Sequence, residues 1–305
     1  MLKELTINAL LNYIDENIEK KALDINELVV FSGYSRRYLQ LLFSKNVGIP
    51  VGKYIQRRRI TRASLLLRLT RLSIVTISEK LFYDSQQTFT REFKKNTGYT
   101  PLQYRNNNIW TFKHQTGHRE MNNILPNVIF RHLPNIEFYG ESASYVEKIP
   151  YTGKHSRKKW DTVKSTLSQT DSPLFISNSI YPGRKDKEEF LINSIFWTKR
   201  TPSDKKENIA EGVYAYFTYK GQIKDYISYI NNIYLNVMSH YGLQKRNTYD
   251  LEIISKTYED DFFFEYYLPV DDDNPVIHNL VHRHDSTDYV TDIRYHAIIS
   301  YPPTD

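Results

Sequence analysis

The chain has 305 residues, with 41 Lys and Arg against 35 Asp and Glu, and no cysteine. That length accommodates two or three domains, and the lack of cysteine excludes a disulfide framework and a cysteine-ligated zinc finger. No 18-residue window is apolar and uncharged, and the N-terminus lacks a signal-peptide pattern, so a soluble, unexported protein with no membrane partner is expected. The formal charge of +6 conceals an asymmetry: residues 1–109 hold 18 Lys and Arg and 9 Asp and Glu, a balance of +9, whereas the remainder holds 23 and 26, or −3. Of the 25 tyrosines, 18 lie after residue 109. A basic module followed by a mildly acidic, aromatic-rich one points to a polyanion for the first and a ligand pocket for the second.

Apolar residues recur at helical spacing over residues 6–18 (Ile7, Leu10, Leu11, Ile14, Ile18), which predicts a core helix capped by Thr6 or Asn8. A short helix over Ile25–Ser32, a turn at Gly33-Tyr34 and a second helix within residues 35–48 follow. Pro50 precedes a long helix over Val51–Leu69, with Tyr54, Ile55, Ile60, Ala63, Leu66 and Leu67 on its apolar face. The same helix carries Arg57, Arg58, Arg59, Arg62 and Arg68. A short helix over residues 74–81 and a turn at Tyr83-Asp84 lead into a helix within residues 84–98, with Asp84 or Ser85 as its cap. Pro101 opens a last helix to about Asn107.

Residues 33–48 and 83–98 are copies offset by 50: Ser35, Phe43, Lys45, Asn46, Gly48 and Tyr54 recur as Ser85, Phe93, Lys95, Asn96, Gly98 and Tyr104. Short helix, tight turn, second helix, twice over, is helix-turn-helix grammar. Two copies are too few for a helical solenoid. In the second copy Phe89 and Phe93 share the buried side, so Gln86, Gln87, Thr90 and Arg91 face outward. Glutamine matches the edge of adenine and arginine that of guanine. The corresponding outward positions of the first copy are Arg36, Arg37, Gln40 and Leu41, and Lys94 and Lys95 fall where a phosphate would lie. A short amphipathic helix with Gln and Arg outside also serves plain solubility, and an arginine run is commonly a solvated face. Set between two candidate readers, the run is equally suited to phosphate contact. At about 1.5 Å per residue, the long helix spans most of one DNA turn.

Beyond a polar linker over residues 110–121, a pair of strands is predicted around Pro134, from Val128, Phe130 and His132 to Ile136 and Phe138. A helix over residues 154–168 and strands over 174–180 and Glu189–Trp197 follow. A strand over residues 213–219, a helix over 222–240 with a stripe of Ile223, Ile227, Ile230, Tyr234, Val237, Met238 and Tyr241, and strands over 251–255 and 261–270 repeat that order. Two strand–helix–strand–strand units make a duplicated α+β domain. In the tail, His278, His282, His284, Asp285 and Asp288 have loosely metal-like spacing, but no cysteine accompanies them and the cluster is read as fortuitous. Residues 293–301 are read as a final strand.

Residues 5–109 resemble the DNA-binding module of the AraC/XylS family of transcriptional regulators, and within it the Rob, MarA and SoxS subgroup. The segment 84–91 with Phe93-Lys94-Lys95 carries the resemblance, with Arg57-Arg58-Arg59 and Leu67-Arg68-Leu69-Thr70 in the long helix. It implies an all-α N-terminal domain of two helix-turn-helix motifs joined by a long helix. Such a domain binds double-stranded DNA as a monomer over about two helical turns and directs RNA polymerase to promoters. Bases would be read by Gln40, Gln86, Gln87, Thr90 and Arg91. Arg37 stands where the subgroup has Trp, and Leu41 where it has Arg, so Arg37 is open between guanine and phosphate. Phosphate contacts would come from Ser35, Arg36, Arg57, Arg58, Arg59, Ser85, Lys94 and Lys95.

Residues 122–270 resemble the GyrI-like effector domain that follows this module in the subgroup, through Gly212-Val213-Tyr214-Ala215, the Gly221 turn and Tyr249-Asp250-Leu251-Glu252. The resemblance implies a cleft in which Glu252 meets a cationic or amphipathic ligand, with Tyr214, Tyr216 and Trp197 as aromatic walls. A solvated strand position is the alternative for Glu252. The expected layout is therefore a DNA-binding domain at 1–109, a linker at 110–121 and an effector domain at 122–305. The expected function is a cytoplasmic, nucleoid-associated activator of stress and multidrug-resistance genes, needing no cofactor, no metal and no catalytic residue. The alternative is a GyrI-like protein that binds or hydrolyses drugs, with DNA binding secondary. The sequence holds no Gly-x-Ser-x-Gly, His-Glu-x-x-His or phosphate loop for the hydrolytic version.

Overall fold

A computed structural model of the chain describes residues 2–112, 115–117, 126, 128–149, 157–198, 206–257, 261–271 and 277. The histidines of the tail and the strand expected at 293–301 lie outside the described residues. The first third is helical: α1 (Leu2–Asn17), α2 (Ile25–Ser32), α3 (Arg36–Val47), α4 (Val51–Leu69), α5 (Ile74–Lys80), α6 (Gln86–Thr97) and α7 (Pro101–Asn106). Helix α1 starts before the expected Thr6 or Asn8 cap, because residues 2–5 continue the helical backbone.

The duplication is visible in the side chains. Ser35 caps α3 by accepting from the Tyr38 amide at 3.4 Å, and Ser85 caps α6 by accepting from the Thr88 amide at 3.1 Å. Gly48 and Gly98, both at φ +83°, close the two helices in the left-handed conformation. Asn46 Nδ2 donates to the Leu42 carbonyl at 2.7 Å and Asn96 Nδ2 to the Glu92 carbonyl at 2.8 Å. Phe43 meets Tyr54 edge-on at 5.5 Å, and Phe93 meets Tyr104 edge-on at 5.3 Å. The copies differ in their turns. The first bends at Gly33 (φ +69°), whereas the second, two residues longer between its helices, bends at Phe82 (φ +57°), a non-glycine in a left-handed conformation.

The remainder is built on one antiparallel sheet of seven strands among the described residues, ordered β2-β8-β11-β10-β5-β6-β4. The strands are β2 (Ile129–Leu133), β4 (Gly140–Lys148), β5 (Leu174–Pro182), β6 (Glu189–Trp197), β8 (Gly212–Gly221), β10 (Asp250–Lys256) and β11 (Phe262–Pro269). Helix α8 (Arg157–Gln169) links β4 to β5. Helix α9 (Ile223–Asn232) runs through a π-helical turn, Ile233–Val237, into a last turn, α10 (Met238–His240). The segments expected to pair around Pro134 do not pair with each other. Instead β2 joins the edge of the large sheet against β8, and β3 (Ile136–Phe138) pairs with β7 (Glu207–Ile209). Pro134 therefore marks a change of sheet, not a hairpin.

Residues 110–121 do not begin as a polar linker. Strand β1 (Ile109–Thr111) pairs with β9 (Gln244–Arg246), and Trp110, Phe112, Gln115 and Thr116 are buried. One apolar cluster runs without a break from Phe89 and Phe93 of α6, through Leu65, Leu66 and Leu69 of α4 and Trp110, to Phe190, Phe217, Tyr234 and Tyr266 of the sheet domain. The first helix-turn-helix has its own core, from Ile7, Leu10 and Leu11 to Phe43 and Tyr54.

Ion pairs follow the same seam. Arg62 donates to Glu19, which also meets Lys80 at 2.9 Å, and Lys80 reaches Glu188, just before β6, at 2.8 Å. Burial raises the Glu19 pKa, but Arg62 and Lys80 outweigh it and hold it below the usual 4.5. A carboxylate depressed in the folded state contributes stability above its unfolded value and loses it as pH falls through the folded one. Glu19→Gln is therefore expected to lower stability by roughly 1.5–3 kcal/mol near neutrality. The gap to the unaltered protein should narrow as pH drops below 4.5, which urea denaturation across pH checks.

Candidate functional site

Helices α3 and α6 present their expected outer faces. Arg36, Arg37, Gln40 and Leu41 of α3 are exposed, as are Gln86, Gln87 and Arg91 of α6, with Thr90 half-buried. The inward sides hold Leu39, Leu42 and Phe43 in α3 and Phe89, Phe93 and Thr97 in α6. Lys94 and Lys95 are exposed in the last turn of α6; Ser35 is exposed and Ser85 half-buried, each spent on its helix cap. Leu41 leaves 63 % of its surface bare, an apolar point in an otherwise polar row.

The arginine run of α4 divides. Arg57 is half-exposed. Arg58, expected at phosphate, is instead only 8 % exposed: its Nε lies 2.7 Å from Asp15 Oδ1 and it donates to the Thr116 carbonyl at 2.6 Å. The reason is its place on the helix, where α1 and the segment after β1 close over it. Arg59 is half-buried and reaches the Leu23 carbonyl at 3.4 Å. Arg68 gathers the carbonyls of Tyr104, Arg105 and Asn107 at the end of α7 and lies over the Trp110 ring at 5.8 Å. It satisfies carbonyls that a helix end leaves unpaired.

The second site is a cavity of about 130 Å³ between α4, α8, α9 and the sheet. Glu252 lines it, as do Lys159, Trp160, Tyr226, Tyr234 and Tyr266. Leu65 and Leu69 of α4 and Trp110 close it from the helical side. Glu252 is 2 % exposed, not a solvated strand residue. Its Oε2 accepts from Lys159 Nζ at 2.6 Å and from Asn178 Nδ2 at 3.0 Å, and Ser194 Oγ donates to Asn178 Oδ1 at 2.6 Å. Beside it Asp250 accepts from the Tyr234 and Tyr266 hydroxyls at 2.6 and 2.5 Å and pairs with Lys245 at 2.7 Å. Burial first, and the Asp250 charge second, push both tyrosines well above their ordinary value of 10.

Tyr214, Tyr216 and Trp197 do not line this cavity. Strand register explains it: Glu252 stands opposite Tyr266 and Ile176, Tyr266 opposite Phe217, and Ile176 opposite Phe196. Alternate strand residues point to opposite faces. The three aromatics therefore lie on the other face, packed with Phe138, Phe175 and Ile209 under the β3–β7 pair. Trp197 stacks on Phe138 at 4.7 Å and donates to Ser177 Oγ at 2.8 Å; Tyr214 donates to the Ala210 carbonyl at 2.7 Å, and Tyr216 to Glu265 at 2.8 Å. All three are buried in that layer. The residues that do line the cavity include Ile230 and Tyr234, visible in sequence as part of the apolar stripe of the helix expected over 222–240. Lys159, Asn178, Trp110 and the two leucines gave no signal there.

Residues 29–107 match the model of a helix-turn-helix domain, and residues 126–271 that of a GyrI-like small molecule binding domain. Along 282 residues, 92% of this chain and 92% of the relative, the sequence is 40% identical to the F1 operon positive regulatory protein of Yersinia pestis. The chain belongs to the AraC-type helix-turn-helix regulators that carry a GyrI-like domain. Transcriptional regulator Rob of Salmonella typhimurium is 27% identical over 260 residues, covering 81% of this chain and 89% of Rob. The HTH-type transcriptional activator AarP of Providencia stuartii is 39% identical over 99 residues, 32% of this chain and 73% of AarP, so that likeness spans about a third of this chain. Among the described residues no helix is long and apolar enough to cross a membrane, and no group of His, Asp and Glu could hold a metal ion.

Within this AraC-type domain the burial of Arg58 has a measurable consequence. Arg58→Ala removes a largely buried guanidinium that pairs with Asp15 and should cost about 3 kcal/mol of stability. Thermal or urea unfolding reads that loss.

Proposed function

We propose that the chain is a transcriptional activator that reads two successive major grooves of double-stranded DNA as a monomer and directs RNA polymerase to nearby promoters. The observation that supports this best is the matched pair of serine-capped helices, α3 and α6, each with an exposed polar row, on either side of α4. In this reading Gln40 and Arg37 work in one groove, and Gln86, Gln87, Thr90 and Arg91 in the next. Leu41 offers apolar contact to a thymine methyl group. Ser35, Arg36, Arg57, Arg59, Ser85, Lys94 and Lys95 face phosphate; Arg58 is withdrawn from that set.

Residues 1–109 and 122–305 are read as the DNA-binding and effector units, and the two strand–helix–strand–strand segments of the latter as copies of one unit. Their order supports it: β5-β6-β4 and β10-β11-β8 run outward in the same sequence from the central β5–β10 pair. The cavity takes a small amphipathic molecule. Because Leu65 and Leu69 line it, occupancy bears directly on the helix that spaces the two readers. Such coupling needs a ligand that distinguishes two states of the protein. Engagement of Glu252 by Lys159 and Asn178 favours binding over turnover, since a general base needs a free acceptor. Positive regulation is the sign carried by the name of the Yersinia pestis relative. Stress and drug-resistance promoters are the target class we assign, in a cytoplasmic, nucleoid-bound protein.

Selection of bound sites from random DNA tests this reading, and should return two unlike half-sites. On the selected site Gln87→Ala or Arg91→Ala should each lower affinity by about 1–3 kcal/mol while leaving binding to random DNA nearly unchanged. Equal losses on both DNAs would count against base reading. Arg57→Ala should weaken both and reduce the salt slope by about 1.

A further inference from the structure

The cavity already contains a cation. Lys159 Nζ sits 2.6 Å from Glu252 Oε2 and 4.9 Å from the centroid of the Trp160 ring. A carboxylate and an aromatic face around one ammonium group is the arrangement that captures organic cations. The pair is largely desolvated, with the Lys159 side chain 11% and that of Glu252 3% exposed. Glu252 is also fixed in place, because Asn178 donates to it and Ser194 orients Asn178. Tyr226 lines the cavity beside this pair. It is buried, and the Glu252 charge beside it adds to the effect of burial in raising its pKa.

We propose that Lys159 determines the charge specificity of this pocket: it fills the cation subsite beside Glu252, so the pocket accepts uncharged aromatic molecules and turns away lipophilic cations. The proposal rests on the cavity being the ligand site. An incoming cation must displace Lys159 from Glu252 and then share a poorly solvated space with its ammonium group. Like charges about 4 Å apart in such a place repel strongly. An uncharged aromatic molecule leaves the pair intact and packs against Trp110, Trp160 and Tyr234. Without Lys159, Glu252 becomes a buried carboxylate lacking its counter-ion, and a bound cation restores the balance.

The test uses the full chain and two probes of nearly equal shape, phenyltrimethylammonium and tert-butylbenzene, followed by calorimetry or ligand-observed NMR. The unaltered protein should bind tert-butylbenzene at least ~10-fold more tightly than the cation, and Lys159→Met should reverse that order. Adding Glu252→Gln to Lys159→Met should abolish the gain for the cation. Lys159→Gln, which keeps a donor on Glu252, serves if Lys159→Met does not fold, with the same reversal expected. An unchanged ratio of the two affinities in the folded variant overturns the proposal, as does tighter binding of the cation by the unaltered protein. If neither probe binds any folded form, the reading of the cavity as a ligand site fails, and the proposal with it.

Discussion

Helix α4 is buried on every side from Ile60 to Leu67, and the rest of the structure follows from that. A surface helix keeps one face in water; a helix enclosed all round belongs to two packing partners at once. Here one partner is the second helix-turn-helix and the other is the sheet domain, joined in a single apolar cluster. Charged groups on such a helix cannot be left bare, because an unpaired charge out of water is costly. Arg58 and Arg62 accordingly meet Asp15 and Glu19, and Arg68 meets backbone carbonyls. A run of arginines that reads as a DNA-facing surface is thus in good part the internal wiring of the fold.

The same enclosure brings the cavity against the helix-turn-helix half. Two leucines near the C-terminal end of α4 form part of the cavity wall, and Lys80 and Glu188 tie α5 to the sheet domain nearby. In a close-packed interior, filling or emptying such a cavity is felt by its walls. The helix that joins the two helix-turn-helix motifs also supplies part of the cavity wall, so in the proposed reading a ligand has a short physical route to DNA affinity.

Much of the helical third was legible because its signals are local. The boundaries of α2 and α4 follow from apolar period, Pro50 and the turn at Gly33, and the repeat of Phe43 and Tyr54 as Phe93 and Tyr104 marks the two equivalent cores. What was not legible depends on tertiary placement. Whether Arg57 or Arg58 faces solvent is decided by a rotation of about 100° along one helix and by where α1 lies. On the strands, Tyr214 and Tyr216 looked like a ligand wall because they are aromatic and close in sequence to the domain's recognisable glycine. The one-residue alternation that places Phe217, not Tyr216, on the face of Glu252 emerges only from cross-strand register. The pairing of Glu252 with Lys159 spans 93 residues and leaves no trace in spacing.

The arrangement of α3 and α6 about α4 is tested most directly by a hydroxyl-radical footprint of the full chain on its selected site. Two protected patches on one face of the duplex, about one helical turn apart, are the expected result. A single patch, or two patches on opposite faces, would contradict it.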